Sequence, residues 1–396
     1  MTTILYYLLV LTGAYLTGYV LYNAILFSAH FILKEKQTPW SAPVARFCVI
    51  VPAYNEELLI GRLMESINDQ TYPRALFETI VVADNCSDNT AGIAAAAGAR
   101  VLERKDLQHG GKGYALKYAL EHMTLPDYDA VLIIDADSVV SKSLLLTLDH
   151  ALSEGKTIIQ CYNGVGNADS SWFTQILDVS RTINNVIYHP TKQKLGLSSH
   201  LMGNGMCFRS AVLARFGWDA FTIGEDWEYY AKLLLWGETI SFARDAQVLH
   251  QESSSMRQAT SQRLRWSSGR FAVAWKYGLA LAYRGLVERN IVKIDASFPL
   301  LFPNPSLGAN CTMAGLLLSF MLPWSPDGRT MVLWFCALLA GQLSMFFVGI
   351  MYSRDKVKKL RSLCKAPLFL LWKMTIDIIS FFGAGKTKWV RTARRL

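Results

Sequence analysis

An α/β layer carried between apolar helices is the fold class this sequence predicts. Three observations predict it. Short apolar runs alternate with helical patterns from RFCVIVPA to DAVLIID, carboxylates recur where those runs end, and uncharged stretches lie toward both ends of the chain. In LIIDADS (132–138), for example, an apolar run of the parallel-sheet kind leads straight into Asp135 and Asp137. A strand's period of two points both carboxylates to one side, where they repel unless a cation lies between them. Mg²⁺ or Mn²⁺, completed by waters and phosphate oxygens, suits such a pair. A lone Asp-x-Asp is common by chance, so the rest of the chain has to decide.

The chain has 396 residues, 52% of them hydrophobic. Its mean hydropathy of +0.20 is high for a soluble enzyme. Met1 to Leu33 contains no Lys, Arg, Asp or Glu, which is too long and too uniformly apolar for a signal peptide. A membrane helix from about Ile4 to Phe27 is expected. Ser306 to Trp324 and Thr330 to Ser353 are also uncharged and read as two spans joined by the turn WSPDGRT. Ala366 to Phe382 is apolar but holds Lys373 and Asp377 at i,i+4, with basic clusters on both sides. Those clusters place it in the interface, or re-entering, on the cytosolic side.

The same charge bias puts the N-terminus outside and the region from Lys34 to about Asp295 in the cytosol. The expected organisation is an N-terminal membrane helix (1–33), a cytosolic domain (34–255), amphipathic interface helices (256–305), two membrane helices (306–353) and a basic C-terminal segment (354–396). The expected place is a bacterial inner membrane with the domain facing the cytoplasm. Seven cysteines without C-x-x-C or His spacing argue against a zinc site or a disulfide framework. The net charge of +9 lies largely beside the membrane segments, so anionic lipid rather than nucleic acid is its expected partner.

Within the domain, RFCVIVPA is the first strand and EELLIGRLMESINDQ (56–70) a helix. ETIVVAD (78–84) is the second strand, ending in Asp84, and Asp88 or Asn89 caps the Ala-rich helix that follows. A third strand near Arg100 to Glu103 leads to the loop KDLQHGGKG and the helix YALKYALEHM; DAVLIID is the fourth. This alternation predicts a doubly wound layer with ligands at the carboxyl ends of the strands. Asp84, Lys112, Asp135 and Asp137 all fall there; each alone is an ordinary turn residue, and together they suggest a nucleotide-phosphate site.

Further on, HLMGNGMCFRSAVLARFG (200–217) offers glycines for close backbone approach. Glu225, Asp226 and Glu228 crowd a helix start, where acids complement the dipole or supply a general base. QATSQRLRWSSGRF (258–271) is a basic helical pattern suited to lipid headgroups or to a diphosphate. GAGKT (383–387) lacks the first glycine of a P-loop, and GGKG (110–113) lacks the Ser or Thr after Lys. ATP or GTP hydrolysis is therefore not expected.

VPAYNEE, VVADNCSDNT, HGGKGYAL, DAD, GNGMCF, GEDWE and QRLRW occur in this order, and WVRTAR closes the chain. The ordered set resembles the membrane-integrated family 2 glycosyltransferases: cellulose, chitin, hyaluronan and poly-N-acetylglucosamine synthases and ceramide glucosyltransferase. The resemblance spans about Phe47 to Phe271. It implies a glycosyltransferase-A, Rossmann-like cytosolic domain and a UDP-sugar donor. It places Pro52, Tyr54, Glu56, Asp84 and Lys112 at the nucleotide, with Asp135, Ala136 and Asp137 as the metal-binding Asp-x-Asp on Mg²⁺ or Mn²⁺. Asp137 would be the direct ligand and Asp226 the catalytic base, while Gln262, Arg265 and Trp266 would contact the diphosphate and frame the acceptor. Gly224 stands where the family has Thr, which bears on acceptor geometry.

The implied chemistry is one in-line displacement that gives a β-glycoside. A polysaccharide acceptor is favoured by the synthase-like VADNCSDNT and WVRTAR segments, although so few spans would need a partner subunit or an oligomer to line a channel. A lipid acceptor, ceramide-like or diacylglycerol, needs only a site open to the bilayer. A non-catalytic membrane subunit of an export complex would be expected to have lost an acid or the Arg, and none is missing.

Overall fold

The computed structural model describes residues 2–34 and 42–384. The closing WVRTAR and most of the basic cluster after Phe382 lie outside the described residues, as do the last three residues of GAGKT. Eight strands form one sheet: β1 (Phe47–Ala53), β2 (Phe77–Asp84), β3 (Arg100–Arg104), β4 (Ala130–Ile133), β5 (Ser138–Val140), β6 (Ile158–Val165), β7 (Met206–Arg209) and β8 (Ser241–His250). Their order is β3-β2-β1-β4-β7-β6-β8-β5.

The four strands expected from sequence form the parallel half, with Phe47 paired to Phe77 and to Ala130. Their continuous apolar character follows from burial on both faces. Along β1, Cys48 and Ile50 enter one core, while Phe47, Val49 and Val51 enter the other. The other half corrects the doubly wound expectation: β4–β7, β7–β6 and β8–β5 pair antiparallel, and only β6–β8 is parallel. The polar residues Gln160 and Asn163 disguise β6 in the sequence, yet both are buried and hydrogen-bonded to the backbone near Gly203.

Among the described residues, two helices are long and apolar enough to cross a membrane, Thr2–Ile32 and Pro326–Tyr352. The span expected at Ser306 to Trp324 is a helix only over Pro305–Ser319, 15 residues or roughly 22 Å. Pro323 stops any continuation, and the chain turns there into the next helix. The expected interface region forms Met256–Val273, Leu279–Val287 and Ile291–Leu301. The apolar C-terminal stretch forms the helix Ala366–Phe382, laid against the first of these.

Candidate active site

The carboxyl ends of β1 and β2 build one wall. Pro52 lies near the end of β1, and Tyr54 and Glu56 follow in the loop. Asn55 has φ +54°, a left-handed turn that Asn tolerates. Its N–H donates to Cys86 Sγ at 3.3 Å, and its side-chain oxygen accepts from the Ser87 N–H at 2.7 Å. The Glu56 N–H donates to Thr90 Oγ1 at 2.8 Å, so the two loops are stitched together. Asp84, the last residue of β2, is buried. Its carboxylate accepts from Arg104 Nη1 at 2.6 Å and from the Gly111 N–H at 3.4 Å. Burial raises the Asp84 pKa, and Arg104 offsets only part of that.

Gly111, at φ +118°, turns the chain so that Lys112 opens the helix Lys112–Glu121. The Lys112 ammonium donates to Asp135 Oδ1 and to the Gly203 carbonyl. Burial pulls its pKa down, but Asp135 and Glu225 outweigh that and hold it above the ordinary value. β4 stops at Ile133, so Asp135, Ala136 and Asp137 lie in the turn beyond the strand rather than on its face. The Asp135 N–H donates to Asn204 Oδ1 at 3.0 Å, and Asn204 Nδ2 donates to Ser138 Oγ at 2.9 Å. Asn204 thus pins the turn, with Gly203 at φ +78° and Gly205 at φ +67° on either side of it.

Glu225 and Asp226 begin the helix Glu225–Leu235. Asp226 Oδ1 accepts the Trp227 N–H at 2.8 Å. Its other oxygen lies so near Gly203 that a Cβ there would come within 3.2 Å. Burial, with Asp135 adding repulsion, raises the Asp226 pKa against the pull of the Trp227 N–H and Lys112. Burial and the Asp226 charge push Glu225 up to about 7. Lys112, Asp135, Gly203, Glu225 and Asp226 therefore form one cluster, as the sequence reading expected of most of them.

Gln262, Arg265 and Trp266 share one face of the helix Met256–Val273 with Gly269. Gly269 and Gly224 touch backbone to backbone: a Cβ on Gly269 would fall 2.7 Å from Gly224 N, and one on Gly224 3.0 Å from Gly269 C. This explains the missing Thr, because the start of the acid-bearing helix and the motif helix pack through two glycines. Sequence reasoning missed the buried Glu252, which accepts from Arg263 Nη2 at 2.7 Å, faces His250 Nε2 at 3.1 Å and lies 3.9 Å from Arg181. It also missed Arg104. Arg104 pairs with Asp84 twenty residues back, and Glu252 gathers Arg181 and Arg263 from two separate helices, which no local pattern signals.

The donor set suits a hard divalent cation. Among the described residues no group of three His, Cys, Asp or Glu side chains could hold a metal alone. Mg²⁺ and Mn²⁺ need no such cage, because one or two carboxylates and a substrate phosphate suffice. Lys112 is paired with Asp135, and Asp137, two residues further along the same turn, is the other carboxylate that could hold such a cation.

A mixed sheet with strand-end acids, an Asp-x-Asp turn and half-buried carboxylates at a helix start is the arrangement of a glycosyltransferase-A fold. The chain belongs to the glycosyltransferase-like family 2, whose model matches residues 44–269, more than half of the sequence. A β-monoglucosyldiacylglycerol synthase of Trichormus variabilis is 27% identical over 244 residues, covering 59% of this chain and 50% of that protein. A probable glycosyltransferase, YdaM of Bacillus subtilis, is 24% identical over 63% of this chain and 61% of its own length. The chain thus spans about half the length of the synthases it matches. The mannosyltransferase PcManGT of Pyrobaculum calidifontis, solved with GDP-mannose and Mn²⁺, has the same fold, with a TM-score of 0.56 at 19% identity over 94% of this chain and 99% of that one.

Proposed function

We propose that this protein is an inverting, membrane-bound glycosyltransferase that moves one sugar from a UDP-sugar to a lipid hydroxyl, giving a β-glycolipid. The observation that carries the reading is the half-buried Asp226 carboxylate, with its raised pKa, set against Gly203 beside the Lys112–Asp135 pair. Such a carboxylate is suited to accept the proton of an attacking hydroxyl. Asp84 and the β1 loop hold the nucleoside, and Lys112 and Arg265 hold the diphosphate by charge-assisted hydrogen bonds. A divalent cation on Asp137, supported by Asp135, would lower the charge of the leaving diphosphate. With the acceptor deprotonated on the face opposite the leaving group, a single displacement inverts the anomeric centre.

The acceptor follows from the surroundings. Two long apolar helices and one of 15 residues are few to line a polymer channel. A site whose motif helix rests on the apolar helix Ala366–Phe382 needs only a lateral opening to lipid. The glucosyldiacylglycerol synthases among the relatives agree with this. A polymer acceptor is the second reading, favoured by a Staphylococcus aureus poly(ribitol-phosphate) β-N-acetylglucosaminyltransferase that is 26% identical over 41% of this chain and 29% of its own.

Purified protein offered several UDP-sugars with diacylglycerol or ceramide vesicles should yield a glycolipid by mass spectrometry, and EDTA should abolish it. Product formed only on a soluble polymer would overturn the lipid assignment; full activity in EDTA would overturn the role of the aspartates.

A further inference from the structure

The helix Ala366–Phe382 carries two charges, Lys373 and Asp377, in an otherwise apolar stretch. Neither faces outward: Asp377 is 1% exposed and Lys373 9%. Ionisable groups in such a helix cost free energy and are kept where they meet protein partners. Here the partner is the helix of the Gln-x-x-Arg-Trp motif. Lys373 and Asp377 are ion-paired, and Ser267 sits between them. Lys373 Nζ donates to Ser267 Oγ at 3.0 Å, and Ser267 Oγ donates to Asp377 Oδ1 at 3.0 Å. The other Asp377 oxygen accepts from Asn304 Nδ2 at 3.4 Å.

The contact runs the length of the motif helix. Trp372 Nε1 donates to Thr260 Oγ1 at 3.1 Å, Ser380 Oγ to the Leu264 carbonyl at 3.3 Å, and Ser268 Oγ to the Gly383 carbonyl at 3.1 Å. Positions 260, 264, 267 and 268 form one stripe of that helix. Gln262, Arg265, Trp266 and Gly269 form the opposite stripe, which meets the acid-bearing helix through Gly224. The motif helix is therefore held from behind by hydrogen bonds, while its front meets the acid-bearing helix through a close glycine contact.

We propose that Lys373 and Asp377 are positioning residues for sugar transfer: through Ser267 they set the rotation of the motif helix and thereby aim Arg265 and Trp266 at the diphosphate and acceptor. This rests on the glycosyltransferase reading above. Ser267 adjoins Trp266, so a turn of the helix that relaxes Ser267 displaces both motif side chains.

Full-length protein in lipid nanodiscs, with UDP and UDP-glucose or UDP-N-acetylglucosamine as probes, tests it. Ser267→Ala removes only the linking hydroxyl. Its turnover should fall ~10-fold or more while the melting temperature holds, because small misplacements cost that much. Lys373→Met with Asp377→Leu should give a similar loss, and adding Ser267→Ala to that pair should cost nothing further, as expected of groups acting as one unit. Wild-type turnover in Ser267→Ala would overturn the proposal, as would additive losses or losses that only track the folded fraction. Should the charge-pair variant not fold, Ser267→Ala alone decides. Wild-type protein that neither binds UDP nor consumes a UDP-sugar would instead sink the glycosyltransferase reading itself.

Discussion

Asp84 is buried and Asp226 half-buried, and both carboxylates have raised pKa values, yet their partners differ. Asp84 is anchored by Arg104 at the end of β2, whereas Asp226 lies beyond Lys112 against a glycine loop. Asp226→Asn should therefore keep UDP affinity within a few-fold while turnover falls by roughly 10²–10⁴. Asp84→Asn should do the reverse, and titration calorimetry with UDP plus saturating-donor rates separates the two. Glu252 is different again. Burial pushes its pKa up, but Arg263, His250 and Arg181 outweigh that and hold it well below the ordinary 4.5. A depressed folded-state value means stability that is present above the ordinary pKa and lost as pH falls below it. Glu252→Gln should cost about 3 kcal/mol at neutral pH, since it leaves buried cations unpaired. The gap to wild type should narrow below about pH 4.5, where the native carboxyl begins to give up its advantage. Melting curves at both pH values check this.

At the scale of elements, the decisive contact is Gly224 on Gly269, and it predicts that restoring the family residue does harm. Gly224 has φ −110°, which any residue can adopt, so only space forbids a side chain there. Gly224→Thr should overpack the joint, costing about 1–3 kcal/mol, and should lower turnover by moving Asp226 away from the motif helix. A variant more active than wild type would show that the glycine pair does not set the spacing. The sequence could carry the site only where its determinants are local. The positions of Asp135, Asp137, Lys112 and Asp226, just past a strand or at a helix start, are legible from those boundaries. Arg104, Asn204 and Glu252 act through partners that other strands and helices bring to them, and are not. The parallel strands were legible because burial on both faces makes them uniformly apolar. β6 and β8 escaped notice because β6 buries Gln160 and Asn163, and β8 exposes Arg244 and Asp245 at mid-strand.

For the whole molecule, the two long helices converge at the catalytic domain. Thr2–Ile32, 31 residues, runs roughly 46 Å, well beyond the ~30 Å of a bilayer core. The excess is used inside the protein. Tyr22 Oη donates to Asp295 Oδ1 at 2.8 Å, His30 Nε2 lies 3.2 Å from Tyr352 Oη, and Lys194 Nζ donates to the Leu33 carbonyl at 3.1 Å. Because Tyr352 ends the other long helix, Ile32 and Tyr352 lie on the same side as the domain, and Pro326 starts at the far end. The chain between Phe302 and Ser325 must then cover the whole distance back, although its helix is only 15 residues long. Asn304 is tied to Asp377 of the helix Ala366–Phe382 at one end of that stretch, and the turn from Phe320 to Ser325 adds reach at the other. A reporter inserted near Lys105 should therefore read cytoplasmic, and one at residues 325–330 external. If the second also reads cytoplasmic, the helix pair re-enters without crossing, and the expected orientation of the two long helices is wrong.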